Sequence, residues 1–335
     1  MKTLRILGIV ILSIWIVAAL VVGAIFGVRA YNAKRFPILE SAPQTSQEYP
    51  TNDSVQAIEG DYLNGFHFTP AQRKHPGVVI TYGGSEGSPA YGQAQQLAEE
   101  GYEVLALYFF GQPNQQPTLA NVPLDHFDEV VTYIRANVDQ PEPITAIGTS
   151  KGAELVALLA AHGYAVDNIV AFAPADHSYS GLDFSGRVEK PSFTHRGEPV
   201  PFASFRESGA GFGMFWDMLL NRPPSYRASY VGAAEAAGDK GRIDMSAYPG
   251  NALFFAGEED AMWQSEIAAR ALEQQSPRFE AHLYPGAGHM FSANIEDFGN
   301  GWQRMFGGTA EGAAHAAADS RDILLQRLSE WHGTL

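Results

Sequence analysis

A serine lies in the pentapeptide Gly148-Thr149-Ser150-Lys151-Gly152, between an apolar run and an Ala/Leu-rich run. A serine hydroxyl becomes a useful nucleophile when a base removes its proton and a third group orients that base. In a sharp strand-to-helix turn the hydroxyl projects above the sheet, and the flanking glycines avoid steric collisions. The Lys151 N–H then begins the helix and can bind an oxyanion, while its side chain is expected to be exposed. Ser150 is therefore a candidate nucleophile, although an ordinary tight turn uses the same residue types.

Candidate partners for this serine follow two later apolar segments. Glu258, Glu259 and Asp260 come after the first segment, and His289 comes after the second, in a Gly-Ala-Gly-His loop. Where a Gly-x-Ser-x-Gly turn carries the nucleophile, the acid and then the histidine come later in the chain, each just after a strand. We choose Asp260 over Glu258 and Glu259, because a residue three positions past the strand can reach a histidine on the neighbouring loop. Each segment also suits an ordinary polar turn.

The remaining candidates concern the oxyanion, the substrate and cofactors. A second oxyanion donor is expected in the loop TYGGSEGSP, at the backbone N–H of Gly84 or Ser85, and each such donor contributes roughly 3–4 kcal/mol. Candidates for substrate contact are His195, Arg196 and Trp263, although exposed surface is the more usual place for His195 and Arg196. The sequence has no His-Glu-x-x-His motif, no cysteine ligands and no phosphate-binding loop. We therefore predict neither a metal nor a cofactor.

Positioning these residues requires a fold that brings strand ends together, and the chain alternates apolar segments with helical ones. Apolar strands separated by helices of 10–15 residues predict the α/β class, with a mainly parallel sheet covered by helices on both faces. Residues 175–250 are rich in Gly, Pro and aromatics, and predict a cap-like insertion over the edge where strands end. The predicted strands are 65–71, 77–84, 103–111, 144–148, 168–174, 251–257 and 280–286, and the predicted helices are 90–102, 124–138, 152–163, 265–275 and 313–332.

The first 35 residues differ from the rest of the chain in that they contain a long apolar run. Residues 6–28 contain no charge, and at helical rise they span roughly 35 Å, enough to cross a bilayer core of about 30 Å. A cleaved signal peptide is the alternative, but its apolar core is only about 7–15 residues long. Gly23 and Gly27 have a spacing that can pack two anchors weakly together, although glycine is common in membrane helices. We predict a single-pass anchor at 1–35, a tether at 36–53 and a body at 54–335.

The charge of the body limits its partners. Outside the first 35 residues there are 17 Lys and Arg against 37 Asp and Glu, so residues 36–335 carry a net charge of −20. This argues against binding to nucleic acid or to anionic lipid. Basic residues flank the apolar run on both sides, so the positive-inside rule has little asymmetry to use. The absence of cysteine and the acidity favour a body outside the cytoplasm.

Six segments resemble the C-terminal domain of the acyl-CoA thioester hydrolase / bile acid-CoA:amino acid N-acyltransferase family, which has the α/β-hydrolase fold. The Ser-Lys-Gly turn and EEDAMW are the more specific features, whereas GAGH is general to α/β-hydrolases. The resemblance implies a triad of Ser150, Asp260 and His289 that acts on a CoA thioester and passes the acyl group through Ser150 to water or to an amine. The matching segments lie between about residues 77 and 291, and are GVVITYGGSEG, GYEVLALYFFG, IGTSKGAELVALLAA, SFTHRGEPVPF, FFAGEEDAMWQS and LYPGAGHMF.

Two departures from that family bear on the function. Its animal members carry a β-rich domain before the hydrolase, which we expect to be missing here, because only about 40 residues separate the anchor from the first predicted strand. Its amino-acid transferases use a cysteine nucleophile, so Ser150 favours hydrolysis. We predict a membrane-anchored serine hydrolase that cleaves acyl esters or acyl-CoA thioesters. The alternatives are a carboxylesterase for an envelope or lipid-like ester, an acyltransferase to an amine, and a non-catalytic binding protein on a hydrolase scaffold.

Overall fold

A computed structural model describes residues 2–36, 47–183, 185–186, 188–209, 211–224 and 226–335. The predicted tether at 36–53 falls mainly on residues 37–46, outside the described part of the chain. The described strands are β1 (Val55–Glu59), β2 (Asn64–Phe68), β3 (Val78–Tyr82), β4 (Glu103–Leu107), β5 (Val122–Pro123), β6 (Ile144–Thr149), β7 (Asn168–Phe172), β8 (Phe193–His195), β9 (Glu198–Pro199), β10 (Asn251–Gly257) and β11 (Phe279–Tyr284). The described helices are α1 (Lys2–Arg35), α2 (Tyr91–Glu99), α3 (His126–Asn137), α4 (Lys151–Ala161), α5 (Gly211–Leu219), α6 (Arg227–Ala237), α7 (Ser265–Glu273), α8 (Trp302–Phe306) and α9 (Ala310–His332), with a 3₁₀ turn at Ile295–Phe298.

Eight strands form one sheet in the order β1-β2-β4-β3-β6-β7-β10-β11. The pairs β1–β2 and β2–β4 are antiparallel, and the pairs from β4 to β11 are parallel. The carboxyl ends of these parallel strands therefore lie along one edge of the sheet. This confirms the predicted α/β class with a mainly parallel sheet.

Helices cover both faces of this sheet, as the apolar strands predict. Along β3 the side chains of Val78, Ile80 and Tyr82 pack on one face with α3, α4 and α7, whereas Val79 packs on the other. That second face is covered by α2 and α9. Because successive side chains of a strand point to opposite faces, a strand buried on both sides must be apolar throughout.

The segment between β7 and β10 forms the predicted insertion. Its strands β8 and β9 pair with each other, and β5 joins β8 in a separate three-stranded sheet. Helix α6 packs Tyr230 and Ala233 against Tyr179 and against Trp263, which follows β10. The insertion therefore contacts the carboxyl-end edge of the main sheet.

Helix α1 is long and apolar enough to cross a membrane. Within the span at residues 6–35, the most apolar window has a mean hydropathy of 2.9, and none of that window is buried. The last turns of the helix are hydrogen-bonded to the body through Arg29 and Asn32, and Asn32 is buried. Side chains built at Gly23 and Gly27 would meet no atom within 4 Å, and the predicted self-association of two anchors stays a prediction.

Candidate active site

Ser150 occupies a strained turn between β6 and α4. Its φ of 56° and ψ of −116° lie outside the regions that non-glycine residues prefer, at a cost of about 1–3 kcal/mol. A Cβ at Gly148 would lie 2.0 Å from the carbonyl oxygen of Gly152, and a Cβ at Gly152 would lie 2.1 Å from that of Gly83. Both flanking positions therefore require glycine. The turn holds the Ser150 side chain at the carboxyl end of the sheet.

His289 and Asp260 reach this serine from the loops that follow β11 and β10. The His289 Nε2 lies 2.9 Å from the Ser150 Oγ, and the His289 Nδ1 lies 2.9 Å from the Asp260 Oδ2. Because a carboxylate only accepts, Nδ1 carries the proton and donates, which leaves the Nε2 lone pair facing the serine hydroxyl. Both residues are buried, with 3% of His289 and 1% of Asp260 exposed. The arrangement can move a proton from Ser150 to His289.

Asp260 is held by its own loop. Its Oδ1 accepts from the backbone N–H groups of Met262 and Trp263, at 2.8 and 3.2 Å, and its Oδ2 also accepts from the Ser265 hydroxyl at 2.6 Å. The other two candidate acids do not take this place. Glu258 pairs with Arg270, and the side chain of Glu259 is exposed.

The histidine loop is fixed by the end of α8. The His289 N–H donates to the Phe306 carbonyl oxygen at 2.7 Å, and the Trp263 ring stands nearly perpendicular to the imidazole with its centre 5.6 Å away. Trp263, one of the three candidates for substrate contact, is 1% exposed. Trp263 therefore packs against the His289 imidazole and has almost no surface open to a substrate.

The expected oxyanion donors differ in whether their backbone N–H groups already donate a hydrogen bond. The Lys151 N–H begins α4 and makes no hydrogen bond to the described residues. The Gly84 N–H donates to both carboxylate oxygens of Glu86, at 2.9 and 3.0 Å, and a Cβ at Gly84 would lie 3.1 Å from the Ser150 Cβ. The Glu86 carboxylate must therefore move before Gly84 can bind a substrate oxygen. Ser85 is exposed and its N–H has no partner among the described residues.

The Lys151 side chain is buried, so the prediction that it is exposed is wrong. Its Nζ lies 2.7 Å from the Glu154 Oε2 and 2.9 Å from the Ser192 Oγ, and only 1% of the residue is exposed. The Glu154 Oε1 accepts from the Ser178 hydroxyl and the Tyr179 N–H. Burial lowers the pKa of the Lys151 ammonium, and Glu154 opposes that shift. Since Ser178, Tyr179 and Ser192 belong to the insertion, this ion pair joins α4 to the insertion.

His195 and Arg196 lie away from Ser150. The His195 ring contacts the His162 ring at a tilt of 31°, with 4.4 Å between centres, at the far end of α4. The 11 residues of α4 separate that end from Ser150 by roughly 16 Å at helical rise. The exposed Arg196 donates its backbone N–H to Asp125. Within the described residues, no group of three or more His, Cys, Asp or Glu side chains could hold a metal ion.

Comparison with solved structures supports the fold. An esterase from Pyrococcus furiosus superposes with a TM-score of 0.54, covering 87% of this chain and 97% of that one at 14% identity. Carboxyl esterase 2 from Tuber melanosporum gives a TM-score of 0.52 at 13% identity, covering 91% and 98% of the two chains. At such low identities the likeness concerns the α/β-hydrolase fold alone.

Sequence relatives and a family model add more specific information. Acyl-coenzyme A amino acid N-acyltransferase 2 from Rattus norvegicus is 27% identical over 256 residues, which cover 72% of this chain and 55% of the relative. Peroxisomal succinyl-coenzyme A thioesterase from Mus musculus is 27% identical over 244 residues, 70% of this chain and 53% of the relative. The chain thus spans about half the length of these relatives. The family described as "BAAT / Acyl-CoA thioester hydrolase C terminal" matches residues 122–321, more than half of the 335 residues. The chain therefore belongs to the BAAT / acyl-CoA thioester hydrolase C-terminal family, with the α/β-hydrolase fold.

Proposed function

We propose that this protein is a membrane-anchored serine hydrolase that cleaves acyl esters or thioesters through an acyl-enzyme. The observation that carries the proposal is the hydrogen-bonded series Ser150, His289 and Asp260, with 2.9 Å at each step. The strained turn at Ser150 and the open Lys151 N–H support the same chemistry.

The reaction follows from the positions of the protons. As the Ser150 Oγ attacks the carbonyl carbon, its proton passes to the His289 Nε2, and the imidazolium forms beside the Asp260 carboxylate. The negative oxygen of the tetrahedral intermediate binds the N–H of Lys151, and that of Gly84 once Glu86 has moved away. The protonated His289 then gives its proton to the leaving thiolate or alkoxide. Water enters, loses a proton to His289 and attacks the carbonyl carbon of the acyl-enzyme. His289 then returns that proton to the Ser150 Oγ as the bond to the acyl carbon breaks, which frees the acid and restores the hydroxyl.

The leading substrate is an acyl-CoA thioester, because the named relatives act on coenzyme A derivatives or are thioesterases. Hydrolysis is proposed rather than transfer to an amine, since the nucleophile is serine. A neutral or lipid-like oxygen ester is the second candidate. It is favoured by the net charge of −20 on residues 36–335, which repels the phosphates of coenzyme A.

We also propose that α1 is an uncleaved anchor that crosses the membrane once. Support comes from its length and its unburied apolar surface. The body is proposed to lie outside the cytoplasm, because the chain has no cysteine and the body is acidic.

The experiment compares one acyl group presented as a CoA thioester and as a simple oxygen ester, using the full chain in detergent micelles. Ser150→Ala is the control. Faster thioester turnover that Ser150→Ala abolishes supports the thioesterase proposal. Turnover of the oxygen ester alone, lost in Ser150→Ala, retains the hydrolase and replaces the thioester with an ester. If neither substrate turns over, or if Ser150→Ala is fully active, the proposed hydrolase mechanism is wrong.

A further inference from the structure

Helix α5 exposes a cluster of large apolar side chains. Phe215 is 57% exposed, Trp216 36% and Met218 68%. Among the described side chains after residue 36, only Val188, Ile267 and Leu335 are large, apolar and comparably exposed. Three of these six residues therefore fall within four positions of one short helix. A soluble surface rarely concentrates apolar groups in this way unless they bind something.

Helix α5 is joined to the last turns of α1. The Arg29 Nη1 donates to the Leu219 carbonyl oxygen at 2.6 Å and to that of Met218 at 3.3 Å. The Asn32 Nδ2 donates to the Leu220 carbonyl oxygen at 2.7 Å. Carbonyl groups at the end of a helix have no partner within that helix, so Arg29 and Asn32 satisfy the end of α5.

These contacts fix the level of α5 along the anchor. Leu219 lines a pocket together with Val22, Ile25, Phe26 and Arg29 of α1. From residue 22 to residue 29 a helix rises about 10 Å, and the charge-free run of α1 ends at residue 28. The end of α5 thus lies level with the boundary between the charge-free part of α1 and its basic end. If α1 spans a bilayer, that level is the headgroup region.

We propose that α5 is a second membrane contact, an interfacial helix whose Phe215, Trp216 and Met218 side chains enter the lipid beside the anchor. The occupant of this apolar surface is the bilayer that α1 crosses, so the inference rests on the proposed anchor. Interfacial helices bury their apolar face about 5–10 Å into the headgroup and acyl boundary, and tryptophan is favoured at that depth.

The opposite side of α5 contacts α8, which holds the loop that carries His289. Asp217 is 4% exposed, and its two carboxylate oxygens lie 2.6 and 2.7 Å from the Arg304 Nη2. Arg304 belongs to α8, whose Phe306 carbonyl oxygen accepts the His289 N–H. His289 is therefore joined to α5 by hydrogen bonds that run through α8. One short helix separates the proposed lipid contact from the triad, so a substrate whose acyl chain resides in the membrane would approach the site from that side.

The test uses the absence of cysteine from the chain, which makes single-cysteine labelling clean. Phe215→Cys, Met218→Cys, Leu335→Cys and Ile14→Cys are labelled with a polarity-sensitive fluorophore in full-length protein reconstituted in phosphatidylcholine nanodiscs. Leu335 is the matched control. It is 61% exposed, and its N–H bonds to the Lys74 carbonyl oxygen near the start of β3, at the other end of the sheet. Quenching is measured with nitroxide-labelled lipids and with aqueous iodide.

We expect labels at positions 215 and 218 to show blue-shifted emission, loss of emission with shallow nitroxide lipids and protection from iodide. The label at position 335 should show the reverse, and the label at position 14 should respond to deep nitroxides. If the 215 and 218 labels behave like the 335 label while the 14 label is quenched, the interfacial helix is wrong and the anchor stands. If the 215 and 218 labels are shielded from both quenchers, a protein covers α5, and the inference also fails. An unquenched 14 label would instead overturn the anchor itself.

Discussion

Replacing Lys151 by methionine tests the buried ion pair between Lys151 and Glu154 at the start of α4. The substitution keeps the length of the side chain but leaves Glu154, which is 0% exposed, without its cation. Breaking a buried pair from one side costs about 3–5 kcal/mol, because the remaining charge is desolvated and uncompensated. Domains are stable by only about 5–15 kcal/mol, so this is a large fraction of the total.

The double variant Lys151→Met/Glu154→Gln separates the charge from the packing. Glutamine keeps an oxygen for the Ser178 hydroxyl and the Tyr179 N–H, while it removes the uncompensated charge. We expect the free energy of unfolding of the double variant to be about 2 kcal/mol higher than that of Lys151→Met. The rest of the loss remains, because the glutamine amide has no Lys151 ammonium to bind.

The assay is denaturant unfolding of the full chain in micelles, followed by tryptophan fluorescence. Arg135→Met is the matched control, because the Arg135–Glu142 pair is 3.2 Å long but exposed at 56% and 62%. Exposed pairs contribute about 0–1 kcal/mol. The reasoning is refuted if Lys151→Met costs no more than Arg135→Met, or if the double variant is no more stable than the single one.

Three further predictions concern the triad, the oxyanion site and pH. Asp260→Asn should lower kcat by about 10⁴-fold, because the amide no longer fixes the Nδ1–H tautomer; a loss below tenfold in steady-state hydrolysis would count against the triad. Glu86→Ala should speed fluorophosphonate labelling by about 10–100-fold, since a charge-assisted hydrogen bond of about 1.5–3 kcal/mol no longer occupies the Gly84 N–H; slower labelling would mean that Glu86 instead supports the loop. Burial lowers the pKa of His332 to about 4. In the unfolded chain His332 binds a proton at a higher pH than in the folded chain. The free energy of unfolding of the wild type should therefore fall by about 3 kcal/mol relative to that of His332→Gln as pH falls from about 6.5 to 4. Parallel pH profiles of unfolding for the two proteins would contradict this.

The central sheet was predictable because its strands are buried on both faces. Strands β3, β6 and β7 are apolar runs bounded by turn residues, and the predicted ranges differ from the observed ones by at most two residues at either end. The first strand, β1, was missed, because it lies at the edge of the sheet and its side chains are mostly exposed. Helices α5 and α6 were also missed, because the glycine-rich insertion has no clear apolar period.

The candidate site also has a part that the sequence predicts and a part that it does not. Ser150, Asp260 and His289 each follow a strand of the parallel sheet, so the order of the elements alone brings them to one edge. The burial of Lys151 depends on Ser192, which lies 41 residues away in the chain, and local pattern does not contain that contact. The signal that was present is the composition of α4, which is apolar apart from Lys151 and Glu154 and is buried on every side from residue 151 to residue 160. A lysine in such a helix needs a buried partner, and Glu154 stands three residues later.

The most direct test of the central claim is to locate the covalent adduct of a fluorophosphonate by mass spectrometry of the full chain in micelles. We predict a single adduct on the peptide that contains Ser150, no adduct in Ser150→Ala, and much slower labelling in His289→Gln, because the base is then missing. An adduct on a different residue, or equal labelling of the wild type and Ser150→Ala, would contradict the assignment of Ser150 as the nucleophile.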